Sequence, residues 1–441
     1  MGKPQDRIER PARFLSAGTV WARLKEHPLA RVGPGLITGV ADDDPSGIAT
    51  YSQAGAQFGL GMLWTMPIAY PLMAAIQSMC ARIGRVTGKG LAANIKDSFP
   101  PSVLRAAVLL LLIANVLNIA ADVAAMGEVA ELVTGFNRHV MTAFFVVLTL
   151  GLQIFIPYHR YVRFLKWLTL SLLAYAAVLF TVHVPWSHVF LQTIRPTFTP
   201  NAAAAAMVVG IFGTTISPYL FFWQASEEVE NMQVGKSGVA TSSLLAEPAA
   251  ADAELRRIRW DTWSGMLYSD LTAYFIILAT AVTLHAAGVT NIDTAAQAAN
   301  ALRPVAGNFA FLLFATGILG VGLVGVPVLA GSGGYALSEA MGWRSGLERK
   351  VSEARGFYAV IAVSILAGSL IQYSPISPMK ALFWSAVING VVAVPLMAVT
   401  ILLASRQSVM GSFRAGKPII VLGWLATGLM GTAAVRMFIP D

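Results

Sequence analysis

The sequence lacks most features of a soluble enzyme or of a disulfide-stabilised secreted domain. Only 12% of its 441 residues are charged, and the single cysteine, Cys80, has no partner for a disulfide within the chain. A complete Gly-x4-Gly-Lys-Ser/Thr phosphate loop, a His-Glu-x2-His metal pair and a Gly-x-Ser-x-Gly nucleophile elbow are all absent. These absences argue against an ATP-driven pump and against an intramembrane enzyme.

Apolar residues dominate the chain instead. They make up 56% of the sequence, and the mean hydropathy is +0.64, so an all-α polytopic protein of a lipid bilayer is predicted. A helix needs about 20 apolar residues to cross a bilayer. Eleven candidate spans meet or approach this length, at residues 36–53, 60–81, 106–126, 139–157, 164–184, 203–225, 262–287, 305–338, 357–373, 379–404 and 418–437.

Basic residues predict the orientation of these spans. Alternate loops on one side, together with the N-terminal arm, hold 26 Lys and Arg residues, whereas the opposite side holds five. Because Lys and Arg are retained in the cytoplasm, we expect a cytoplasmic N-terminal arm and a C-terminus on the opposite side. The arm is expected at residues 1–35 and a single transmembrane domain at 36–441. The net charge of +8 then reflects topology, and nucleic-acid binding is not indicated. The expected location is the inner, or plasma, membrane.

Three consecutive carboxylates, Asp42, Asp43 and Asp44, interrupt the first apolar span. A charge at bilayer depth costs at least a few kcal/mol, so it normally faces a cavity, a partner or an ion. The three residues therefore suggest a cation site. The alternative is that they lie at a membrane surface and cap the following helix.

Proline breaks two spans that lie five helices apart. Pro45 interrupts span 1 and Pro218 interrupts span 6, and each removes a backbone donor and so frees carbonyl groups. Transporters built on inverted repeats place such broken helices at matching positions in their two halves. The offset fits five plus five helices with an eleventh appended, although either proline alone could be a simple kink.

Six segments around the first break and in the next two spans carry a family resemblance. They are Gly33-Pro34-Gly35-Leu36, Asp44-Pro45-Ser46-Gly47-Ile48-Ala49-Thr50, Gln53-Ala54-Gly55-Ala56-Gln57-Phe58-Gly59, Ala81-Arg82-Ile83-Gly84, Thr87-Gly88-Lys89 and Ala121-Asp122-Val123-Ala124. At these residues the chain resembles the NRAMP family of divalent metal ion transporters. The resemblance implies a LeuT-like fold with inverted five-helix repeats at about residues 36–184 and 203–404 and an eleventh helix at about 418–437.

The chain departs from the family at the expected metal site. Asp44 matches the family's metal-binding Asp, but Gly47 replaces its Asn and Ser217 replaces its Met. The loss of a thioether favours harder ions, and the smaller residues should leave room for a hydrated ion such as Mg²⁺. This looks like the NRAMP-related magnesium transporter branch, unless another residue restores Mn²⁺ or Fe²⁺ binding. The candidate metal-site residues are Asp44, Asp43, Gly47, Thr214, Ser217 and Asn389.

A second polar feature lies in the third span. Asn115, Asn118 and Asp122 share one helix face, and the family residue that matches Asp122 belongs to a network associated with proton movement. The sixth span contains no histidine, the usual side chain that titrates near neutral pH, so weak or absent proton coupling is predicted. Alternatively, Asp122 is a structural acid that hydrogen-bonds to the neighbouring asparagines.

These observations predict a secondary transporter that imports divalent cations by alternating access, with Mg²⁺ favoured and Mn²⁺ also carried. The metal ion is cargo, and neither a cofactor nor ATP is expected. A proton-coupled Mn²⁺ and Fe²⁺ importer is the main alternative, and a metal sensor without transport activity is the alternative of another class. Glu227, Glu228 and Glu230 are expected to form a solvated acidic helix end.

Overall fold

The computed structural model describes residues 38–39, 41–156, 168–196, 201–234, 241–370, 373 and 375–439, and all regular secondary structure in them is helical. The predicted N-terminal arm lies outside the described residues. The principal helices are α1 (Pro45–Phe58), α2 (Thr65–Thr87), α3 (Leu91–Ser98), α4 (Pro101–Thr134), α5 (Arg138–Phe155), α6 (Leu173–Val178), α7 (Trp186–Ile194), α8 (Ala202–Thr215), α9 (Pro218–Val234), α10 (Ala251–Thr280), α11 (Ala310–Met341), α12 (Arg355–Leu370), α13 (Pro378–Ser405) and α14 (Lys417–Met437). Shorter helical segments are Gly59–Met62, Leu168–Leu172, Pro248–Ala250, Ala281–His285, Ala295–Ala299, Asn300–Leu302, Arg303–Ala306, Gly307–Phe309 and Gln407–Met410.

Part of the described chain can be compared with the predicted spans by helix length and hydropathy. Within the described ranges seven qualify, or eight if Pro45–Met62 and Thr65–Thr87, which meet at 113°, count as one span. The predicted span at 357–373 forms the helix Arg355–Leu370 of 16 residues, and positions 371 and 372 lie outside the described residues. Part of the predicted span at 164–184 lies outside the described residues.

Both predicted helix breaks are present. Helical backbone at Ala41 and Asp42 ends before α1 begins at Pro45, and α8 ends at Thr215 before α9 begins at Pro218. In each case proline takes the first helical position of the second segment. The N–H group at this position has no partner within a helix, so proline, which lacks it, loses no hydrogen bond there.

Close backbone approaches bring the broken helices against their neighbours. A Cβ atom on Gly39 would lie 2.2 Å from the carbonyl oxygen of Gly265 in α10. A Cβ atom on Gly213 in α8 would lie 2.5 Å from the backbone nitrogen of Gly390 in α13. Both distances are shorter than any side chain tolerates, so glycine is required where these helices cross. The broken helices are thereby held in the interior of the bundle.

The acidic end of α9 is buried, so the prediction of a solvated helix end is wrong. Glu228 pairs with Arg257 of α10 at 2.6 Å. Glu230 accepts hydrogen bonds from the backbone of Glu348 at 2.7 Å and from the hydroxyl of Tyr335. The sequence could not indicate this, because the residues that cover these glutamates come from α10, α11 and the loop that follows α11.

Candidate metal site

Asp44 caps the first turn of α1. Its Oδ1 accepts a hydrogen bond from the backbone N–H of Gly47 at 2.9 Å and another from the hydroxyl of Ser46 at 2.6 Å. An aspartate is favoured at this position because it satisfies donors that have no partner within the helix. Helix capping, one of the two interpretations open for the acidic run, therefore applies to Asp44, while its second oxygen is directed at other helices.

Residues from three further helices enclose Oδ2 and the rest of the Asp44 side chain. Oδ2 of Asp44 accepts a hydrogen bond from the Asn118 side chain of α4 at 2.8 Å and lies 3.4 Å from the hydroxyl of Tyr219 in α9. On α11, a Cβ atom at Gly325 would lie 3.1 Å from the Cβ of Asp44. Asp44 is only 1% exposed. A single carboxylate is thus held at the junction of α1, α4, α9 and α11.

A hydroxyl group satisfies the carbonyl that the first break frees. Pro45 has no N–H, so the carbonyl of Ala41, four residues earlier, receives no helical hydrogen bond. The hydroxyl of Tyr219 donates to this carbonyl oxygen at 2.9 Å. Because Tyr219 also lies beside Asp44, it connects the free carbonyl of one broken helix with the carboxylate that follows it.

The second break has a similar arrangement. Pro218 leaves the carbonyl of Thr214 without a helical donor, and the hydroxyl of Ser217 approaches this oxygen at 2.7 Å. The same hydroxyl lies 2.8 Å from the carbonyl oxygen of Gly213. Ser217 thus stabilises the break as a hydrogen-bond donor. Its oxygen keeps its lone pairs and can still act as an acceptor. Rotation of the hydroxyl would release the carbonyl oxygen to which it donates.

The expected extra space beside Gly47 is not present. A Cβ atom at Gly47 would lie 3.0 Å from Oγ1 of Thr214 and 3.2 Å from the ring of Tyr51. Thr214 and Tyr51 are fully buried and occupy the volume that the loss of an asparagine side chain was expected to provide. The structure does bring Gly47 and Thr214 together, since α1 and α8 pack against each other.

Two other candidate residues make no hydrogen bond to Asp44 in the described part of the chain. Oδ1 of Asp43 is 2.9 Å from the hydroxyl of Ser269 in α10. Asn389, in α13, is fully buried, and neither atom of its amide has a hydrogen-bond partner in the described part of the chain. No hydrogen bond among those residues connects either side chain to the carboxylate of Asp44.

The polar face of α4 divides into three separate environments. Asn118 binds the central carboxylate as described above, whereas Asn115 donates to the carbonyl of Leu329 and to the hydroxyl of Ser332, each at 2.8 Å. Asp122 is fully buried, and no side chain among the described residues donates a hydrogen bond to either of its oxygens. The interpretation of Asp122 as an acid bonded to the neighbouring asparagines is therefore wrong.

Sequence reasoning missed the contribution of Gly325 and the structural role of Tyr219. Gly325 lies in a glycine-rich run, and nothing in that run distinguishes the one glycine that makes space for a carboxylate. Tyr219 directly follows Pro218, and a hydroxyl beside a broken helix was a signal that could have been used. The described residues contain no group of three or more His, Cys, Asp or Glu side chains around a common metal position. A bound ion would therefore need neutral oxygen ligands or water.

The two broken helices and the buried carboxylate between them indicate the class of protein. The chain is a multi-pass membrane protein with a LeuT-like fold, as predicted. It is similar to the manganese transporter of Eremococcus coleocola in complex with an aromatic bis-isothiourea substituted compound, with a TM-score of 0.71 and 16% sequence identity over 97% of this chain and 88% of that one. It is also similar to Mhp1, a nucleobase-cation-symport-1 family transporter, with a TM-score of 0.53 and 14% identity over 92% of each chain.

Sequence comparison identifies the family. Residues 35–440 match the family described as natural resistance-associated macrophage protein-like, so the chain belongs to the NRAMP family. Relatives named divalent metal cation transporter MntH include the protein of Acidiphilium cryptum, 26% identical over 98% of this chain and 97% of that protein. The protein of the same name from Deinococcus radiodurans is 25% identical over 96% of this chain and 94% of that protein.

Proposed function

We propose that the protein is a secondary transporter that moves divalent metal cations across a membrane by alternating access around Asp44. The observation that carries this proposal is the burial of the Asp44 carboxylate between two broken helices. A buried charge of this kind is expensive unless it has a function or a partner. The names of the MntH relatives support a divalent cation as cargo.

We further propose that Mg²⁺ is the preferred ion and that Mn²⁺ is also carried. Oxygen atoms make up the donor set around Asp44, and Ser217 stands where the family has a thioether ligand. Carboxylate, hydroxyl and carbonyl oxygens suit hard ions, and Mg²⁺ usually keeps several waters while binding one or two carboxylates. The closely packed surroundings of Gly47 require the site to expand before such a hydrated ion enters.

The hydroxyls of Tyr219 and Ser217 provide a route for this expansion. When they rotate, the carbonyl oxygens of Ala41 and Thr214 become available, and Oδ2 of Asp44 supplies the negative charge. These donors come from both broken helices, so a movement of one helix against the other would change the number of ligands. A cation bound between them would thereby be sensitive to the conformation of the transporter.

Import into the cytoplasm with weak or absent proton coupling completes the proposal. The distribution of basic residues supports an inner membrane location with a cytoplasmic N-terminus. Residues 202–234, which contain both halves of the sixth span, have no histidine. One observation favours the second candidate, a proton-coupled Mn²⁺ and Fe²⁺ importer: Asp122 is fully buried and no side chain of the described residues donates to it, as expected of a carboxyl group that binds and releases a proton.

Uptake by proteoliposomes tests these alternatives. The purified protein is reconstituted, and Mg²⁺ and Mn²⁺ uptake is measured together with internal pH. The variants are Asp44→Ala and, as a matched control on an exposed acidic side chain, Asp252→Asn. We expect saturable Mg²⁺ uptake without acidification, loss of uptake in Asp44→Ala and unchanged uptake in Asp252→Asn.

Other outcomes separate the candidates. Mn²⁺ uptake with acidification, and none for Mg²⁺, would support the proton-coupled importer. Metal binding without flux would support a sensor. Equal uptake by Asp44→Ala and the unmodified protein would exclude Asp44 as the centre of transport.

A further inference from the structure

Two carboxylates connect the end of α9 with the end of α11. Glu230 of α9 accepts a hydrogen bond from the hydroxyl of Tyr335 in α11, and Glu339 of α11 accepts one from the hydroxyl of Ser226 in α9 at 2.8 Å. We propose that these four residues form a latch that closes the cytoplasmic side of the transporter and must open before the cation is released. This inference rests on the proposed function, because it takes α9 to move during transport.

The two hydrogen bonds of the latch lie one helical turn apart on each helix. Ser226 and Glu230 are four residues apart in α9, as are Tyr335 and Glu339 in α11, so each pair lies on one helix face. Each helix supplies one carboxylate and one hydroxyl, and the partners run in opposite order along the two helices. A separation of the helices, or a shift of one along the other, would therefore break both bonds together.

The loop that follows α11 is shaped around the carboxylate of Glu230. This side chain is 7% exposed, and it accepts hydrogen bonds from the backbone N–H groups of Leu347 at 3.2 Å and Glu348 at 2.7 Å. The loop turns at Gly346, which has a φ of 140°, and a Cβ atom there would lie 3.2 Å from Oε1 of Glu230. Glycine thus permits both the turn and the close approach of the carboxylate.

The carboxylate of Glu339 extends the contact to a third helix. Its Oε2 accepts a hydrogen bond from the backbone N–H of Ala93 at 3.2 Å, in the first turn of α3, where a helix leaves such groups without an internal partner. A Cβ atom on Gly90 would overlap this carboxylate, so glycine is again required for the approach. The latch therefore joins α9, α11 and the start of α3.

The contacts of the latch can be exchanged for water. A hydrogen bond within a protein adds little net free energy when water can replace it, and opening would hydrate both carboxylates. By contrast, α8 and α13 are held by direct backbone packing at Gly213 and Gly390, which water cannot replace in the same way. Of these two contacts, the one at the end of α9 is the one suited to repeated opening and closing.

Release of the latch would act on both broken helices. The side-chain oxygen of Gln224 in α9 accepts a hydrogen bond from the hydroxyl of Thr38, and Tyr219 of α9 donates to the carbonyl of Ala41 at 2.9 Å. Thr38 and Ala41 both precede the first break. In the proposed topology this half of span 1 and α9 lie on the cytoplasmic side, so the two half-helices would move together once Glu230 is free.

The accessibility of introduced cysteines tests the latch. Native Cys80 is buried and is removed by Cys80→Ala, and a reporter is introduced by Ser338→Cys in α11 or by Ser52→Cys in α1. Both serines are fully buried in this structure, and in the proposed topology they lie on opposite sides of Asp44. The full-length protein is purified in detergent and treated with a maleimide, and the initial rate of alkylation is measured for each reporter.

In Glu230→Gln we expect alkylation at position 338 to be about tenfold faster and alkylation at position 52 not to increase. Glutamine keeps the shape of the side chain, but it has one acceptor oxygen, and its amide N–H would face the donors that the carboxylate binds. A carrier that opens on one side remains closed on the other. Tyr335→Phe removes one hydrogen bond and should produce a smaller increase at position 338. Glu247→Gln, the same change at an exposed carboxylate, should leave both rates unchanged.

Other outcomes would overturn the latch. Faster alkylation at both positions would indicate general loosening, and unchanged rates in Glu230→Gln would show that its contacts do not hold the helices closed. If Glu230→Gln does not fold, Tyr335→Phe is tested with the same two reporters and the same criteria. Mg²⁺ uptake by proteoliposomes is measured in parallel. Unchanged rates with uptake would overturn the latch alone, whereas the expected rates without flux in any form would overturn the proposed function.

Discussion

The hydroxyl of Tyr219 donates a 2.9 Å hydrogen bond to the carbonyl oxygen of Ala41, the acceptor that Pro45 leaves without a helical donor. This contact joins the two broken helices, which are separated by more than 170 residues in the sequence. It also places a phenol beside Asp44. The break in α1 is therefore stabilised by a residue of α9, and the two breaks form one structural unit.

Removal of this hydroxyl should destabilise the protein when no cation is bound. In Tyr219→Phe the buried carbonyl of Ala41 loses its donor, which costs about 1–3 kcal/mol. A bound cation could then replace the donor, so Mg²⁺ should raise the melting temperature more in this variant than in the unmodified protein. Thermal unfolding in detergent with and without Mg²⁺ measures both effects. Tyr373→Phe, at an exposed tyrosine, is the control, and an identical response of the two variants would contradict the prediction.

A methyl group at residue 325 should displace Asp44. The Cβ atom of Gly325→Ala would lie 3.1 Å from the Cβ of Asp44, which is closer than nearly all such contacts in proteins. Because small displacements of positioned groups have large kinetic effects, we expect the initial rate of divalent cation uptake to fall by about tenfold. Gly428→Ala, in α14, meets no atom within 4 Å and should transport normally. Uptake by proteoliposomes measures both, and equal rates would exclude close packing at Gly325 as a determinant of the site.

A thioether at position 217 should change the ion preference. Ser217→Met introduces a soft ligand beside the second break and removes the hydroxyl that serves the carbonyl of Thr214. We expect the ratio of Mn²⁺ to Mg²⁺ uptake to rise, and Cd²⁺ to become an effective competitor. Ser217→Ala separates the two effects, because it removes the hydroxyl without adding sulfur. If Ser217→Met and Ser217→Ala have the same selectivity, the residue does not contact the ion.

The ion pair at the acidic end of α9 should make a large contribution to stability. Glu228 has 1% of its side chain exposed and Arg257 has 27%, so Arg257→Gln leaves a buried carboxylate without its partner. Loss of one member of a buried pair costs about 3–5 kcal/mol, and the added variant Glu228→Gln should recover part of it. Thermal unfolding measures these changes. Lys89→Gln breaks the exposed pair with Asp97 and should cost no more than about 1 kcal/mol; an equal loss in both single variants would contradict the burial argument.

Local features of the fold could be predicted from the sequence. The predicted spans at 379–404 and 418–437 agree closely with Pro378–Ser405 and Lys417–Met437, because their apolar residues are continuous and each helix begins beside a proline. Both breaks were also predicted, since proline acts on its own helix.

Contacts between distant segments could not be predicted in the same way. The position of Gly325 against Asp44 depends on how α11 packs on α1, and the burial of Glu228 depends on Arg257. The direction of Asp43 illustrates the same limit. Asp43 stands next to Asp44 in the sequence, yet its Oδ1 contacts Ser269 of α10, whereas Asp44 contacts Asn118 of α4.

The hydroxyls at the two breaks have a consequence for the return half of a transport cycle. A carrier that moves its cargo without a coupled ion must reorient empty once in every turnover. Exposed carbonyls would oppose that step, because they would retain water or ions in the interior. Tyr219 and Ser217 satisfy the carbonyls of Ala41 and Thr214 from within the protein, so neither carbonyl needs a water molecule or an ion while no cargo is bound.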